Sequence, residues 1–143
     1  MTDLQAVADK LEIQEALARH ARAVDTKDWE LWKRVFTPDA TVDHQSAGGA
    51  KGSRDEIADW LRDSLAEFPM TQHYITNVEV ELAGDEAKVR ATFYNPMTFP
   101  GASEQSRCGG WYHHEFVRTT KGWKSRQLVE ENLWFVSPAP ARP

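Results

Sequence analysis

Ala87-Lys88-Val89-Arg90-Ala91-Thr92-Phe93 decides the fold class. Val89, Ala91 and Phe93 fall on one side of an extended chain, and Lys88, Arg90 and Thr92 on the other. That alternation is the pattern of a sheet with one buried and one wet face, which is an antiparallel habit. Working outward, similar runs cover roughly Thr71 to Leu82, Ala87 to Phe99, Arg107 to Thr119 and Trp123 to Val136. Gly84-Asp85, Pro100-Gly101-Ala102-Ser103 and Lys121-Gly122 separate them, all residues that turns favour. The second half is therefore read as four consecutive strands.

The first half follows a different period. Leu4, Val7 and Leu11, then Ile13, Leu17, Ala21 and Val24, recur at helical spacing, with Glu12, Glu15, Arg19 and Arg22 opposite. One helix from about Thr2 to Asp25 is expected, opened by a Thr2/Gln5 capping box. Asp28 caps a second piece carrying Trp29, Trp32, Val35 and Phe36, which Thr37-Pro38-Asp39 ends. Ala40 to His44 alternates as a short strand. Ser53 with Glu56 forms another capping box, opening a helix whose stripe is Ile57, Trp60, Leu61, Leu65 and Phe68. The order is helix, helix, strand, helix and then sheet: an α+β fold with helices on one face of a curved, mostly antiparallel sheet.

At 143 residues the chain has room for one core, expected over residues 1–136, with a Pro-rich tail over 137–143. Seventeen basic against 22 acidic side chains leave a net charge of −5, and no Lys/Arg cluster is present, which argues against nucleic acid and anionic membranes as partners. No apolar run approaches the ~20 residues of a membrane span. No secretory signal is visible at Met1-Thr2-Asp3-Leu4, so a cytoplasmic location is expected. Cys108, the single cysteine, allows neither an internal disulfide nor a cysteine-based zinc site. Adjacent His113 and His114 point oppositely on a strand, so no metal site is expected. Phosphate-binding glycine motifs and the Gly-x-Ser-x-Gly elbow are absent.

A curled sheet around a long helix encloses a cavity, so the informative residues are ionisable groups that break the apolar faces. His20 lies a turn from Ala16 and Val24 on the buried stripe, and Asp25 lies beyond Ala21 on the same stripe. A buried carboxylate needs a partner; Asp25 either finds one across the fold or caps the turn Thr26-Lys27-Asp28. His73 opens the first long strand, with Asn77 on its face if no bulge intervenes. A lone strand histidine is more often a core residue than a catalyst. His44 ends the short strand. Tyr112 shares a face with His114, and Arg126, Leu128, Glu130 and Asn132 share another, as cavity lining or rim.

Further residues suggest a family: Asp28-Trp29-Glu30-Leu31-Trp32, Phe36-Thr37-Pro38-Asp39-Ala40, Gly52-Ser53, His73 with Asn77, Gly109-Gly110-Trp111-Tyr112 and Gly122-Trp123-Lys124. In this order and spacing the chain resembles the SnoaL-like group of the nuclear transport factor 2 superfamily, nearest to scytalone dehydratase and the lindane dehydrochlorinase-like enzymes. The resemblance implies a cone-shaped α+β barrel, three N-terminal helices on its sheet, a deep pocket, and a homodimer or homotrimer. It implies that Asp25 supports His73 as a catalytic dyad. It sets His20 where the dehydrochlorinases carry a lysine and His44 near a substrate-holding tyrosine of the dehydratase. The dehydrochlorinase arginine falls near Leu128, with Arg126 two residues earlier, so a site for a chloride leaving group does not transfer.

The chemistry so implied needs no cofactor. His73, oriented by Asp25, would take a proton from carbon, while Tyr112, His44 or His114 polarises a carbonyl or protonates a departing hydroxyl. His20, Arg126 and Asn132 complete the expected supporting set. The expected function is a dehydratase, or related isomerase or cyclase, acting on a small hydrophobic cyclic substrate. The alternatives are a non-catalytic ligand-binding or assembly domain, and the small subunit of a ring-hydroxylating oxygenase.

Overall fold

The computed structural model describes residues 3–138. Helix α1 spans Leu4–Asp25 and α2 spans Trp29–Arg34; β1 runs Phe36–Asp43, then a 3-10 turn Gln45–Ala47, β2 Lys51–Ser53 and α3 Arg54–Leu65. Strands β3 Met70–Thr71, β4 Tyr74–Ala83, β5 Glu86–Thr98, β6 Ser106–Thr119 and β7 Gly122–Val136 complete the chain. Seven strands form one sheet in the order β2-β1-β7-β6-β5, with β3 and β4 both paired to β5. All pairings are antiparallel except β1 with β7. The sheet curls into a half-barrel with the helices packed on its inner side, as the α+β reading expects.

Local chemistry explains most boundaries. Ser53 and Glu56 make the reciprocal capping box at the start of α3, and Asp28 caps α2 by accepting from the Leu31 amide at 3.0 Å. At the head of α1 the cap is Asp3, whose side chain accepts from the Ala6 amide. The expected partner Thr2 lies outside the described residues, and Gln5 donates to Asp9 instead. The tail from Ala139 onward also lies outside them.

Two expectations are corrected here. The second helix stops at Arg34, and β1 begins at Phe36. Pro38 is tolerated because the register with β7 slips between Phe36 and Thr41, so no ladder amide is needed there. The first long strand is broken at Gln72-His73, between β3 and β4.

The core has two lobes. Trp32, Phe36, Val42, Ile57, Phe93 and Leu128 fill the space under α2 and α3, and Ile13, Leu17, Ala91, Phe116 and Trp123 pack under α1. Full burial of each large apolar side chain contributes about 1.5–3 kcal/mol. Trp123 is thus inside, 3% exposed, with its indole N–H donating to the buried Asp9. Asp9 also takes a two-pronged ion pair from Arg118, both contacts at 2.9 Å, which pins α1 to the end of β6. Leu4, Val7 and Leu11, read as core, are exposed; only the part of the stripe from Ile13 onward meets the sheet. No helix among the described residues is long and apolar enough to cross a membrane.

Candidate active site

The break between β3 and β4 brings His73 against the last residue of α1. Outside both ladders, the His73 amide is free to donate to Asp25 Oδ2 at 2.7 Å. The ring Nδ1 lies 2.7 Å from Asp25 Oδ1, which also accepts from the Thr71 hydroxyl at 3.1 Å. A carboxylate accepting three hydrogen bonds is well supported as an anion, so Nδ1 carries the hydrogen and Nε2 is left bare. Asp25 does not cap the turn after α1: Thr26 and Lys27 are satisfied by Arg22 and Val24 carbonyls. Lys27, with φ 57°, sends its ammonium to the Ala66 and Phe68 carbonyls, tying the turn to the end of α3.

His73 lines a cavity of about 380 Å³ under α2 and α3. Trp32, Trp60, Leu61, Phe68, Phe93 and Met97 supply apolar wall, and His20, His44, Asn95, Tyr112, Glu130 and Asn132 also face it. A larger, open groove of about 770 Å³ runs between α1 and β4 past the same Asp25 and His73. The smaller cavity is the better site for chemistry, because most of its wall is apolar and its polar groups converge.

Opposing polar groups occupy the wall formed by β1 and β7. The parallel register pairs Asp43 with Val129, which sets the next residues, His44 and Glu130, side by side and inward. Their Nδ1 and Oε1 are 2.6 Å apart, with both side chains less than a tenth exposed. The His44 ring stacks on Trp60, centroids 5.9 Å apart. The 3-10 turn that follows is fixed to β7 by the Ser46 hydroxyl, which donates to the Glu130 carbonyl and accepts from the Asn132 amide. Glu130 was visible in sequence only as one polar residue of an inward face. The signal for its partner lies in a strand pairing 86 residues apart.

The other expected residues divide. His20 is wholly buried among Trp32, Phe36, Tyr112 and His114, its Nδ1 unpartnered, and burial holds it neutral by pushing its pKa far down. Tyr112 stacks on Phe93 at 4.4 Å, and burial raises its hydroxyl well above the ordinary value, so it stays a donor. Asn132 and Asn95 flank the Cys108 thiol, which burial also raises, making it a poor nucleophile. His114 does not reach the cavity: it is sealed in the core, Nδ1 against the Ser125 hydroxyl at 2.8 Å. Arg126 is on the outer surface, paired with Glu86 and Glu115, because it is the extra residue of a bulge between Ser125 and Gln127. Asn77 is likewise turned away, exposed at φ 51° within a register shift of β4. Among the described residues no three His, Cys, Asp or Glu side chains are grouped to hold a metal ion.

A half-barrel sheet closed by helices over one polar-ended cavity is the cone fold of nuclear transport factor 2-like proteins. Within that class the chain belongs to the SnoaL-like domain family, which it matches over residues 5–129. It is 39% identical over 131 residues to the uncharacterized protein Rv2910c of Mycobacterium tuberculosis, spanning 91% of this chain and 89% of that one. The Kfla4162 protein of Kribbella flavida superposes with a TM-score of 0.83 at 27% identity, over 91% of this chain and 94% of that one. The hexachlorocyclohexane dehydrochlorinase LinA-type3 of Novosphingobium barchaimii superposes with a TM-score of 0.85 at 17% identity, over 99% and 97%.

Proposed function

We propose that this chain is a cofactor-independent lyase-type enzyme, a dehydratase or related isomerase or cyclase, acting on a small hydrophobic cyclic substrate. The observation that carries the reading is the His73–Asp25 contact of 2.7 Å at the wall of a mostly apolar cavity. Asp25 fixes the tautomer of His73 and stabilises the imidazolium that forms when Nε2 takes a proton from carbon. A carbonyl on the substrate serves as the electron sink, and Tyr112, which lines the same cavity, donates its hydroxyl hydrogen to that oxygen. Family membership and dehydrochlorinase-like fold neighbours support the reaction class. We further propose that the protein works as a homodimer or homotrimer.

The test is proton exchange. A panel of cyclic ketones is incubated with the protein in heavy water, and deuterium entering beside the carbonyl is followed by NMR together with any elimination. Asp25→Asn and His73→Gln should each lower exchange by about 10²–10⁴-fold without changing the melting transition. Wild-type exchange in either variant defeats the dyad, and ligand binding with no exchange in the wild type leaves a binding domain.

A further inference from the structure

We infer that the pocket where α1, α2 and the β6–β7 turn meet is a binding site for a small organic phosphate. The site is separate from the cavity that holds His73 and does not depend on the proposed reaction. Helices α1 and α2 wall both: they present His20 and Trp32 to the cavity, and Arg19, Leu31 and Arg34 to this pocket.

The pocket has a volume of about 330 Å³ and gathers four cations: Arg19 of α1, Arg34 of α2, Lys121 of the turn and Lys124 of β7. They lie far apart in the sequence, so no basic run announces them; the fold brings them together. Glu12 is the only carboxylate lining the pocket among the described residues, and its Oε2 accepts from the Trp123 amide. Among the described residues none of the four cations forms an ion pair, whereas Arg54, Arg62, Arg90, Arg118 and Arg126 all do. An excess of positive charge is thus concentrated at one concave spot of a chain whose net charge is −5. Like charges held together repel, and an anion among them removes that cost. Burial, and then the positive neighbours Lys121, Arg19, Arg34 and Arg54, push the Lys124 pKa down, as expected where their fields converge.

The cradle is fixed by contacts within the chain. The Lys124 ammonium donates to the Arg34 carbonyl at the end of α2, which leaves two of its three hydrogens for a ligand. The Thr119 hydroxyl accepts from the Lys121 amide at 3.1 Å and donates to the Gly122 carbonyl at 2.7 Å, which holds the turn. Gly122, at φ 95°, passes so close to α1 that a methyl there would meet Glu12 Oε2 at 2.9 Å. A site held in place this way gives up little freedom on binding.

The donor set selects the ligand. A guanidinium fork matches a pair of phosphate oxygens, and an ammonium acts as a point charge. Two of each suit a dianionic group with three free oxygens better than a monovalent carboxylate. Leu31 and Val35 line the same pocket and give a carbon skeleton somewhere to lie, which bare phosphate would leave unused.

The test is an NMR titration of the full chain at slightly alkaline pH and constant ionic strength. The probes are phenyl phosphate, inorganic phosphate and benzoate. Phenyl phosphate should shift the Lys121, Gly122 and Lys124 amides saturably, binding more tightly than inorganic phosphate and much more tightly than benzoate. Arg34→Gln/Lys121→Gln should weaken phenyl phosphate by about tenfold or more. Lys88→Gln/Arg107→Gln changes the net charge equally at two exposed positions outside the pocket, and should leave binding as it is. Shifts in the wild type that do not saturate, benzoate binding as tightly as phenyl phosphate, or equal losses in the two double variants would each overturn the site. A thymidine oligonucleotide that binds these residues more tightly than phenyl phosphate would overturn the assignment to a small molecule. All of these readouts are independent of deuterium exchange at His73.

Discussion

His114 donates through Nδ1 to the Ser125 hydroxyl, and that hydroxyl donates onward to the Gln127 carbonyl at 3.0 Å, so the neutral tautomer with a bare Nε2 is fixed. Burial pushes its pKa from 6.5 down to about 3. The unfolded chain takes up a proton at this ring below about pH 6.5 while the folded chain does not until near pH 3, so stability falls as pH drops through that window and is untouched above it. His20 acts in the same direction. Asp9, held low by the Arg118 guanidinium, contributes stability that is present above its ordinary value and lost as acid protonates it. Urea unfolding at pH 7 and pH 5 should therefore differ, with about 2 kcal/mol of the difference from His114, and His114→Gln should remove that share. A slope unchanged in that variant would mean the ring is protonated inside the fold.

At the scale of elements, the bulges decide what faces the cavity. Gly110 lies at a register shift between β6 and β7: a methyl there would meet the Glu131 carbonyl oxygen at 2.0 Å and the Asn132 Cα at 3.0 Å, both backbone. Gly110→Ala is expected to force the strands apart, lowering unfolding free energy by about 1–3 kcal/mol, and to shift Glu130 and Asn132 away from the cavity. Denaturant melts and the His44 ring resonances report the two effects, and an unchanged midpoint would show that the strands have slack. Such features also mark how far the sequence could be read. Strand existence, the caps at Asp28 and Ser53, and the odd placement of Asp25 and His73 are local patterns, and local pattern survives in sequence. The outward turn of Arg126 and Asn77 is not, because one inserted residue reverses every later side chain without changing the alternation before it. Nor could the parallel β1–β7 pairing be read, and with it the His44–Glu130 contact, since nothing near His44 records a register set 86 residues away.

For the whole molecule, the outer face of the sheet carries an exposed aromatic row. Tyr74, Tyr94 and Trp134 stand in one cross-strand row there, with ring centroids 5.9 and 6.1 Å apart and exposures of 49%, 40% and 42%. Trp134 fills the gap that Gly109 leaves in the row, and Trp111 extends the aromatic surface under the Arg90 guanidinium. A row of three exposed rings with no helix over it among the described residues is unusual for a lone chain in water, and a second copy offering the same rings is the occupant that the proposed homodimer or homotrimer supplies. Phe135, the residue after Trp134, packs edge-on against Phe99, and both line the cavity. Sedimentation should return two or three times 16.3 kDa. Tyr94→Glu, which sets a charge in the middle of the row, should return a single chain. A wild-type chain that sediments at 16.3 kDa throughout its accessible concentration range would overturn the assembly while leaving the His73–Asp25 contact as it is.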